Sequence, residues 1–393
     1  MSYKLRDVCS YAKDRIGLSD LTLNNYISTE NMLTEKAGVT VASGLPTTSQ
    51  TSKYQCSDVL ISNIRPYFKK IWYANKVGGC SNDVLVMRAN EKYNSLFLYY
   101  VLSNDEFFNY ATATAKGTKM PRGDKTAIMD YDVPNIPLEE QRQIARILSC
   151  LDDKVELNNK INDCLEQMAQ AIFKSWFVDF EPFQDGEFED SELGLIPKGW
   201  HVGNLFDIAQ YLNGLAMQKF RPIDIEKGIP VLKIKELRQG SCDCSSDLCS
   251  EKIKSEYIIN DGDVIFSWSG SLLVDFWCGG ICGLNQHLFK VTSDTYNKWF
   301  YYIWTNYHLQ KFTAIAADKA TTMGHIKRED LASSLVLIPD IESYKKIGRL
   351  LEPIYEQIIS NRIENRKLAD VRDNLLPKLM SGKLSVSDLE AAK

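Results

Sequence analysis

The pattern of apolar and polar positions divides the chain into two halves, each with a mixed section followed by a helical section. In the mixed sections, short apolar or alternating runs predict β-strands. These runs are DVLISNI (58–64), DVLVMRA (83–89), DVIFSW (263–268) and QHLFKVT (286–292). The longer stretch SLFLYYVLSNDEFFNYAT (95–112) predicts short helices, and glycine and proline separate the elements. Each half is therefore expected to begin with a mixed α/β domain.

Each helical section opens with an Ile-Pro pair, in which Pro137 and Pro339 suit the first turn of a helix. Pro353 lies inside the second helical pattern and is expected to break it, because proline removes a backbone donor and clashes one turn back. The first pattern is expected to break at the same place, near residues 149–153. One long helix then remains in each half, at about 153–176 and 353–376, and each spans roughly 36 Å.

Apolar residues form a seam along both predicted helices, and each seam includes an asparagine at the equivalent position, Asn158 and Asn361. A buried asparagine at such a position fixes the register and the partner of a coiled coil. The sequence therefore predicts that the two helices pack on each other; the alternative is that each helix covers only its own domain. The predicted pairing residues are Asn158, Ile161, Leu165, Met168, Ile172, Ile354, Ile358, Asn361, Leu368, Val371 and Leu375.

An internal repeat relates the two halves at a spacing of 200 to 205 residues. Leu5 and Asp7 recur as Leu205 and Asp207, and Ser57–Ser62 recurs as Gly262–Ser267. Further matches keep the same order: Asn82 with Asn285, Asn94 with Asn297, Phe97 with Phe300, Tyr99 with Tyr302, Lys116 with Lys319, and Met120 with Met323. An ordered set of this kind indicates a tandem duplication of a large unit.

The predicted fold is α+β: two tandem mixed α/β domains, each followed by a long helix, with the helices packed as an antiparallel coiled coil of pseudo-two-fold symmetry. The predicted boundaries are a first domain at 1–137, a helical region at 138–180, an acidic linker at 181–196, a second domain at 197–339 and a second helical region at 340–393.

Charge is segregated along the chain. The net charge is −5, but residues 179–192 hold seven acidic residues and no basic one, so the remainder sums to +2. A weakly acidic total therefore does not exclude nucleic acid, because local patches decide binding. The aromatic residues Trp176, Phe177, Phe180 and Phe183 are too numerous for a plain linker and are expected to dock on a core or on a partner subunit.

The cellular setting follows from two negative patterns. No apolar run approaches the length of a membrane span, and the N-terminus carries no signal-peptide pattern. The ten scattered cysteines suit a reducing compartment. A cytoplasmic protein without membrane contact is expected.

Four stretches resemble the specificity subunits of type I restriction–modification systems: FKSWFVDFEPF (173–183), LGLIPKGW (193–200), GIPVLKIKEL (228–237) and LLPKLMSGKL (375–384). The order of domain and helix is also similar, over essentially the whole chain. The resemblance implies a non-catalytic, cofactor-free reader of double-stranded DNA. Each domain would read one half of a split site, and the helices would act as spacer. Two methyltransferase subunits, and through them restriction subunits, would bind the helical regions.

The residues add two arguments of their own. Two reading domains held apart by roughly 36 Å match half-sites one turn of DNA apart. Because the two domains differ in sequence, the two halves of the site should differ as well. The cysteine-rich insert SCDCSSDLCS (241–250) and the weak basic character of the second domain depart from the family pattern.

Two basic stretches of the first domain are candidate DNA contacts. In NIRPYFKKIWYANK (63–76), basic residues alternate with aromatic ones and no acid is present, which suits a loop that tracks phosphates; the alternative is a solvated edge strand and turn. AKGTKMPRGDKTAI (115–128) surrounds a Pro-Arg-Gly turn. The candidates are Arg65, Tyr67, Lys69, Lys70, Lys76, Lys116, Lys119, Arg122 and Lys125.

In the second domain, DKATTMGHIKRED (318–330) repeats the second basic stretch, and polar clusters beside two strands suit base edges. Asn285 has a structural alternative, because Asn82 recurs opposite it. The candidates are Ser267, Ser269, Asn285, Gln286, Lys319, His325, Lys327 and Arg328.

Motifs of enzymes that act on DNA or nucleotides are missing. The chain has no Asn/Asp-Pro-Pro-aromatic tetrapeptide, no Gly-rich cofactor loop, no Walker motif and no metal-protease histidine spacing. Cys242, Cys244, Cys249, Cys278 and Cys282 allow zinc, but reduced cysteines of a loop fit the irregular spacing better. A non-catalytic DNA reader is therefore expected, and the alternatives are a two-headed protein scaffold or a nuclease with an unrecognised site.

Overall fold

The computed structural model describes residues 2–223, 226–318 and 326–391, which form two compact units. Unit 1 comprises Met1–Asp153 together with Ala369–Lys393, and unit 2 comprises Lys154–Leu368. Both units mix helices with sheets, as the apolar pattern predicts. The α+β class is therefore confirmed.

Unit 1 is built on two four-stranded sheets, ordered β2-β9-β6-β7 and β3-β5-β8-β4, and the pair β1-β10. Its strands are β1 Ser2–Lys4, β2 Cys9–Tyr11, β3 Arg15–Gly17, β4 Tyr26–Ile27, β5 Gln50–Tyr54, β6 Val59–Ser62, β7 Ile71–Tyr73, β8 Gly78–Cys80, β9 Val84–Ala89 and β10 Asp132–Pro134. Its helices are α1 Leu5–Val8, α2 Ser95–Ser103, α3 Asp105–Ala113, α4 Lys125–Met129 and the first part of α5, Leu138–Phe173.

Unit 2 repeats this plan with the sheets β14-β21-β18-β19 and β16-β15-β20-β17 and the pairs β13-β22 and β11-β12. Its strands are β11 Phe188–Ser191, β12 Gly194–Pro197, β13 His201–Asn204, β14 Gln210–Asn213, β15 Ile229–Leu232, β16 Leu248–Cys249, β17 Ile258–Ile259, β18 Val264–Ser267, β19 Leu273–Phe276, β20 Cys282–Leu284, β21 Leu288–Thr292 and β22 Leu335–Ile338. Its helices are α6 Leu205–Ile208, α7 Ile234–Gln239, α8 Lys298–Tyr307, α9 Leu309–Asp318, α10 Arg328–Ala332 and most of α11, Ile341–Met380; α12, Val386–Ala391, belongs to unit 1.

The repeat extends to individual contacts. In unit 1, β6 pairs with β9, and Asp58 bonds Arg88 at 2.8 Å; in unit 2, β18 pairs with β21, and Asp263 bonds Lys290 at 2.8 Å. Asp58 is only 2% exposed, so its charge requires this partner. An ion pair between an aspartate and a basic residue thus links the same two neighbouring strands in both units.

Both long helices run through the positions where a break was predicted, so that prediction was wrong. Helix α5 is continuous through residues 149–153, and α11 is continuous through Pro353. Pro353 is exposed, whereas the neighbouring Leu351 and Tyr355 are buried in the core of unit 2. Burial of these side chains offsets the roughly 3 kcal/mol that an internal proline costs a helix. The helices contain 36 and 40 residues and reach about 54 and 60 Å, longer than predicted.

The acidic segment is more ordered than the predicted linker. It contains the hairpin β11-β12, and its acidic side chains remain mostly exposed. The aromatic residues beside it do dock on a core, as predicted: Phe177 is 3% exposed, and Trp176, Phe180 and Phe183 pack against the same cluster.

Candidate nucleic-acid interface

In unit 1 the two predicted basic stretches meet. The backbone N–H of Arg65, just after β6, donates to the carbonyl of Pro121 at 2.8 Å, and the N–H of Gly123 donates to the carbonyl of Asn63 at 3.0 Å. These bonds seat the Pro-Arg-Gly turn of the second stretch against the turn that begins the first. The sequence predicted each stretch but gave no sign that they form one surface, which we call the basic face.

The basic face exposes charged side chains from the second stretch. The Lys116 side chain is 80% exposed and bonds Asp124 at 2.5 Å, and the Arg122 side chain is 57% exposed and bonds Asp83 at 3.2 Å. Lys119 and Lys125 are exposed too. The Lys116 ammonium, with two backbone N–H groups, holds the pKa of Asp124 below its usual value. Exposed ion pairs of this kind are weak, so phosphates can displace the carboxylates at little cost.

The lysines of the first stretch are instead engaged inside unit 1. Lys69 bonds Asp105 at 3.1 Å; burial lowers its pKa, but the carboxylates of Asp105 and Glu35 raise it above the usual value. Lys70 donates to the carbonyl of Thr29 at 2.6 Å, and burial lowers its pKa. Lys76 donates to the carbonyl of Asn24, and its ammonium lies 5.9 Å from the centroid of the Trp72 ring. These lysines stabilise the domain and are the poorest candidates for phosphate contacts, while Tyr67 remains 46% exposed.

In unit 2 the turn after β18 carries an aromatic and polar cluster. The Trp268 Nε1–H donates to Asn213 Oδ1 at 3.0 Å, and its ring lies 6.1 Å from that of His287. His287 Nδ1 lies 3.1 Å from Ser269 Oγ, and Gln286 Nε2 lies 3.3 Å from His287 Nε2. Trp268 belongs to the polar cluster predicted beside this strand, but Asn213 lies 55 residues away in the chain, so no sequence pattern marks the pair.

Three predicted base readers of unit 2 are buried, which argues against a base contact by them. Ser267 is 0% exposed, and its hydroxyl donates to the carbonyl of Ser271 at 2.9 Å. Ser269 is 1% exposed and Asn285 is 5% exposed, the latter as part of a bridge to Leu215. A hydroxyl that is satisfied inside a turn stabilises that turn and is a poor candidate for a base contact.

The predicted basic loop of unit 2 is described only in part. Lys319 and His325 lie outside the described residues. Lys327 and Arg328 are exposed at the start of α10, where Arg328 Nη2 lies 3.5 Å from the carbonyl of Tyr211. The neighbouring Ile326 donates its N–H to the carbonyl of Trp268 at 3.1 Å, so this loop also adjoins the turn after the sheet strand.

A cavity of about 460 Å³ in unit 2 escaped the sequence analysis. Its lining includes Gln218, Arg221, Lys233 and Asn285, and Asp247 forms an ion pair with Lys233. Arg221 and Lys233 lie 12 residues apart in the chain, so no single charge run marks the cavity. The cavity brings two basic side chains together in a second domain that is neutral overall, with 15 basic and 15 acidic residues at 197–339.

Within residues 2–223, 226–318 and 326–391, no group of three or more His, Cys, Asp or Glu side chains is arranged to hold a metal ion. Cys249 and Cys282 are buried free thiols, and burial raises the pKa of Cys249 to about 11. Among the described helices, none is both long and apolar enough to cross a membrane.

The helix segments of unit 2 pair antiparallel through a polar ladder. Asn158 Nδ2 donates to Asn365 Oδ1 at 2.8 Å, and one turn further Asn361 Nδ2 donates to Asn162 Oδ1 at 2.8 Å. Asn158 also donates to Glu364 at 2.8 Å. Asn158 and Asn361 are 0% and 4% exposed, so both predicted asparagines lie in the seam.

The apolar seam differs from the prediction at three positions. Ile161, Met168 and Val371 are 38%, 53% and 47% exposed, and the next residue along the helix occupies the seam in each case. Those residues are Asn162, Ala169 and Arg372. These three residues follow the alternating spacing of three and four residues that a helix seam requires. Two of them are polar, so a prediction from apolar residues alone placed the seam on the residue before each. Leu165, Ile172, Ile354 and Ile358 pack on the core of unit 2, and Leu375 packs on that of unit 1. Leu368 is half-buried.

Replacing Asn361 by leucine is expected to lower the free energy of unfolding by about 1–2 kcal/mol, because Asn162 loses its buried partner. The double variant Asn162→Leu/Asn361→Leu should recover most of that loss, since no polar group is then left unpaired. Urea unfolding of both variants measures the difference. Equal destabilisation of the single and double variants would contradict the ladder.

Comparison with known proteins gives consistent results. A family model described as "Type I restriction modification DNA specificity domain" matches residues 1–167 and 197–369. The chain is similar to the type I restriction enzyme MjaIX specificity subunit of Methanocaldococcus jannaschii, with 33% identity over 305 residues, covering 75% of this chain and 70% of that one. It is 24% identical over 399 residues to the HindI specificity subunit of Haemophilus influenzae, covering 83% and 86%. Its fold is similar to the crystal structure of a type I restriction–modification S subunit from M. genitalium, at 12% identity and a TM-score of 0.58 over 97% and 96% of the two chains.

Proposed function

The chain belongs to the family of type I restriction–modification specificity subunits, and on this basis we propose that each of its two mixed domains reads one half of an asymmetric, bipartite DNA site. Members of this family recognise DNA sequence and are non-catalytic components of their complexes. The family model matches twice, once in each half of the chain. Two matches within one chain support two reading domains.

The observation that carries the proposal is the shared position of the candidate surface in the two units. In unit 1 the N–H of Gly123 bonds the turn after β6, and in unit 2 the N–H of Ile326 bonds the turn after β18. The side chains displayed there differ: Arg65 and Arg122 in unit 1, against Trp268 and Arg328 in unit 2. One scaffold with two different surfaces suits two different half-sites.

The long helices would set the separation of the half-sites and bind the methyltransferase subunits. A stiff antiparallel pair acts as a spacer because its register is fixed by the buried asparagines. Since the helical section occurs twice, we propose two methyltransferase subunits for each copy of this chain, with restriction subunits joining through them. A protein that reads cellular DNA in this way would act in the cytoplasm.

Binding to DNA should fall steeply as salt rises. If about three exposed basic side chains of the basic face contact phosphates, the logarithm of the binding constant falls with the logarithm of the salt concentration at a slope near −2.7. Raising the salt concentration from 50 to 200 mM then weakens binding about fortyfold. Titration of a random duplex with the full-length chain at several salt concentrations measures the slope. The variant Lys119→Ala should reduce the slope by about one unit, because it removes one phosphate contact.

The same titration tests the scaffold alternative. A two-headed scaffold that binds only proteins would show no appreciable DNA affinity and no salt slope. The matched control is Lys76→Ala, whose ammonium is already held by a backbone carbonyl, and it should leave the slope unchanged. Cleavage or methylation of DNA by the purified chain alone would contradict the non-catalytic assignment.

A further inference from the structure

Arg65 has a backbone conformation that arginine rarely adopts. Its φ is +50°, in the left-handed region, where a side chain is strained and glycine is favoured. In unit 2, at the repeat spacing of 205 residues, the equivalent position is Gly270, with φ +66°. The fold therefore requires a left-handed residue at this place in both turns. Unit 2 meets the requirement with glycine, and unit 1 retains an arginine despite the strain.

The backbone holds the Arg65 turn rigidly. Its N–H donates to the carbonyl of Pro121 at 2.8 Å, and the carbonyl of Asn63 accepts from Gly123 at 3.0 Å. Pro66 follows at the start of a short 3₁₀ helix, and its ring restricts the backbone of the preceding residue, Arg65. A strained residue persists only where its surroundings determine it, and such residues concentrate at functional sites.

Two polar atoms of the same turn have no hydrogen-bond partner among the described residues. They are the acceptor Asn63 Oδ1 and the donor Arg65 Nε, and both are buried. Asn63 is 7% exposed, whereas Arg65 is partly exposed. A buried polar atom without a partner destabilises the free protein. A ligand that binds at this turn can supply the missing partners.

The surroundings identify the chemistry of that ligand. The side chains of Lys116 and Arg122 are 80% and 57% exposed, and Lys119 is exposed as well. Tyr67 is 46% exposed two residues after Arg65. This arrangement suits double-stranded DNA. The exposed basic side chains can contact phosphates, while the arginine on the fixed turn can meet a base edge.

We propose that Arg65 determines specificity in the half-site read by unit 1, by donating two hydrogen bonds to O6 and N7 of a guanine in the major groove. The planar fork of arginine matches this pair of acceptors, and lysine does not reproduce it. The inference rests on the proposed function, since it assigns one base contact within a DNA site. Lys116, Lys119 and Arg122 contact phosphates and carry no sequence preference.

The test is selection of bound sequences from a random duplex library by the full-length chain, with Arg65→Gly, Arg65→Lys and Lys119→Ala as variants. Arg65→Gly should unfold at no lower temperature than the parent, because glycine adopts this conformation without strain. Both Arg65 variants should lose a guanine preference of about tenfold to a hundredfold at one position. Every preference in the other half-site should persist. Lys119→Ala should weaken all sequences equally and keep every preference.

The outcomes separate the two levels of the proposal. If the Arg65 variants keep every base preference, or weaken all sequences equally, Arg65 is not a base reader and this inference fails while DNA recognition stands. If the parent chain enriches no sequence and its binding has no salt slope, the proposed function itself fails.

Discussion

Replacing Phe177 by alanine is expected to lower the free energy of unfolding of unit 2 by about 3–5 kcal/mol. Phe177 is 3% exposed, and its ring centroid lies 5.5 Å from those of both Trp200 and Trp304. Phe173 stacks on it at 5.1 Å. Alanine would leave a cavity between these rings and remove the edge contacts that add to area burial. Phe177 lies in the π-helical turn that follows helix α5, so its loss also weakens the packing of that helix end on the core of unit 2.

Denaturant unfolding followed by tryptophan fluorescence measures this effect selectively. Six of the seven tryptophans lie in unit 2, and Trp72 is the exception. The matched control is Val178→Ala, the next residue, which is 47% exposed and should change stability by less than about 0.5 kcal/mol. A Phe177→Ala variant as stable as the Val178→Ala control would show that the aromatic cluster does not hold the helix.

Replacing Asp152 by alanine is expected to lower the free energy of unfolding of unit 1 by about 3 kcal/mol. The Asp152 carboxylate accepts the Tyr100 hydroxyl at 2.7 Å and the Arg372 guanidinium at 2.6 Å, and the two charged side chains are only 29% and 27% exposed. Removing the acid leaves the Tyr100 hydroxyl without its acceptor and leaves the partly buried Arg372 with the more exposed Asp373, 2.9 Å away, as its remaining acidic partner. Breaking one side of a partly buried ion pair costs more than the intact pair contributes.

A double-mutant cycle isolates this interaction. Asp152→Leu combined with Arg372→Leu should lie closer to the parent in stability than Asp152→Ala does, because neither charge remains. Asp153→Ala, at an exposed neighbouring position, is the control and should be nearly neutral. Additive effects of the two leucine substitutions would mean that the charges do not interact. Thermal or urea unfolding provides the measurement.

The sequence predicted the elements of the fold better than their contacts. The repeat located both mixed units, since the strands around Val59 and Val264 are apolar runs bounded by turn residues. The helix seam was misplaced at Ile161, because the seam position beside it is Asn162 and a polar residue is invisible to a count of apolar positions. Pro353 was expected to stop a helix because the burial of its neighbours could not be weighed from the chain alone.

The candidate site was predicted in parts. Arg65 and Arg122 were predicted as DNA contacts from their charge. That they lie on one surface depends on backbone hydrogen bonds between two loops far apart in the chain. The sequence does not show whether a polar residue beside a strand is buried. Ser267 was therefore predicted to read a base, although its hydroxyl donates to a carbonyl inside the turn. The left-handed conformation of Arg65 has no sequence signal within its own loop. Alignment of the repeat with Gly270 would have provided one.

Unit 1 is discontinuous, because residues 369–393 complete it after the whole of unit 2 has intervened. Leu376, Leu379 and Val386 enter the same core as Leu148. During synthesis the first domain is therefore made early, but its core is complete only after the C-terminal helix has been made. Until then its apolar surface is available to chaperones, or to the helix of another nascent copy.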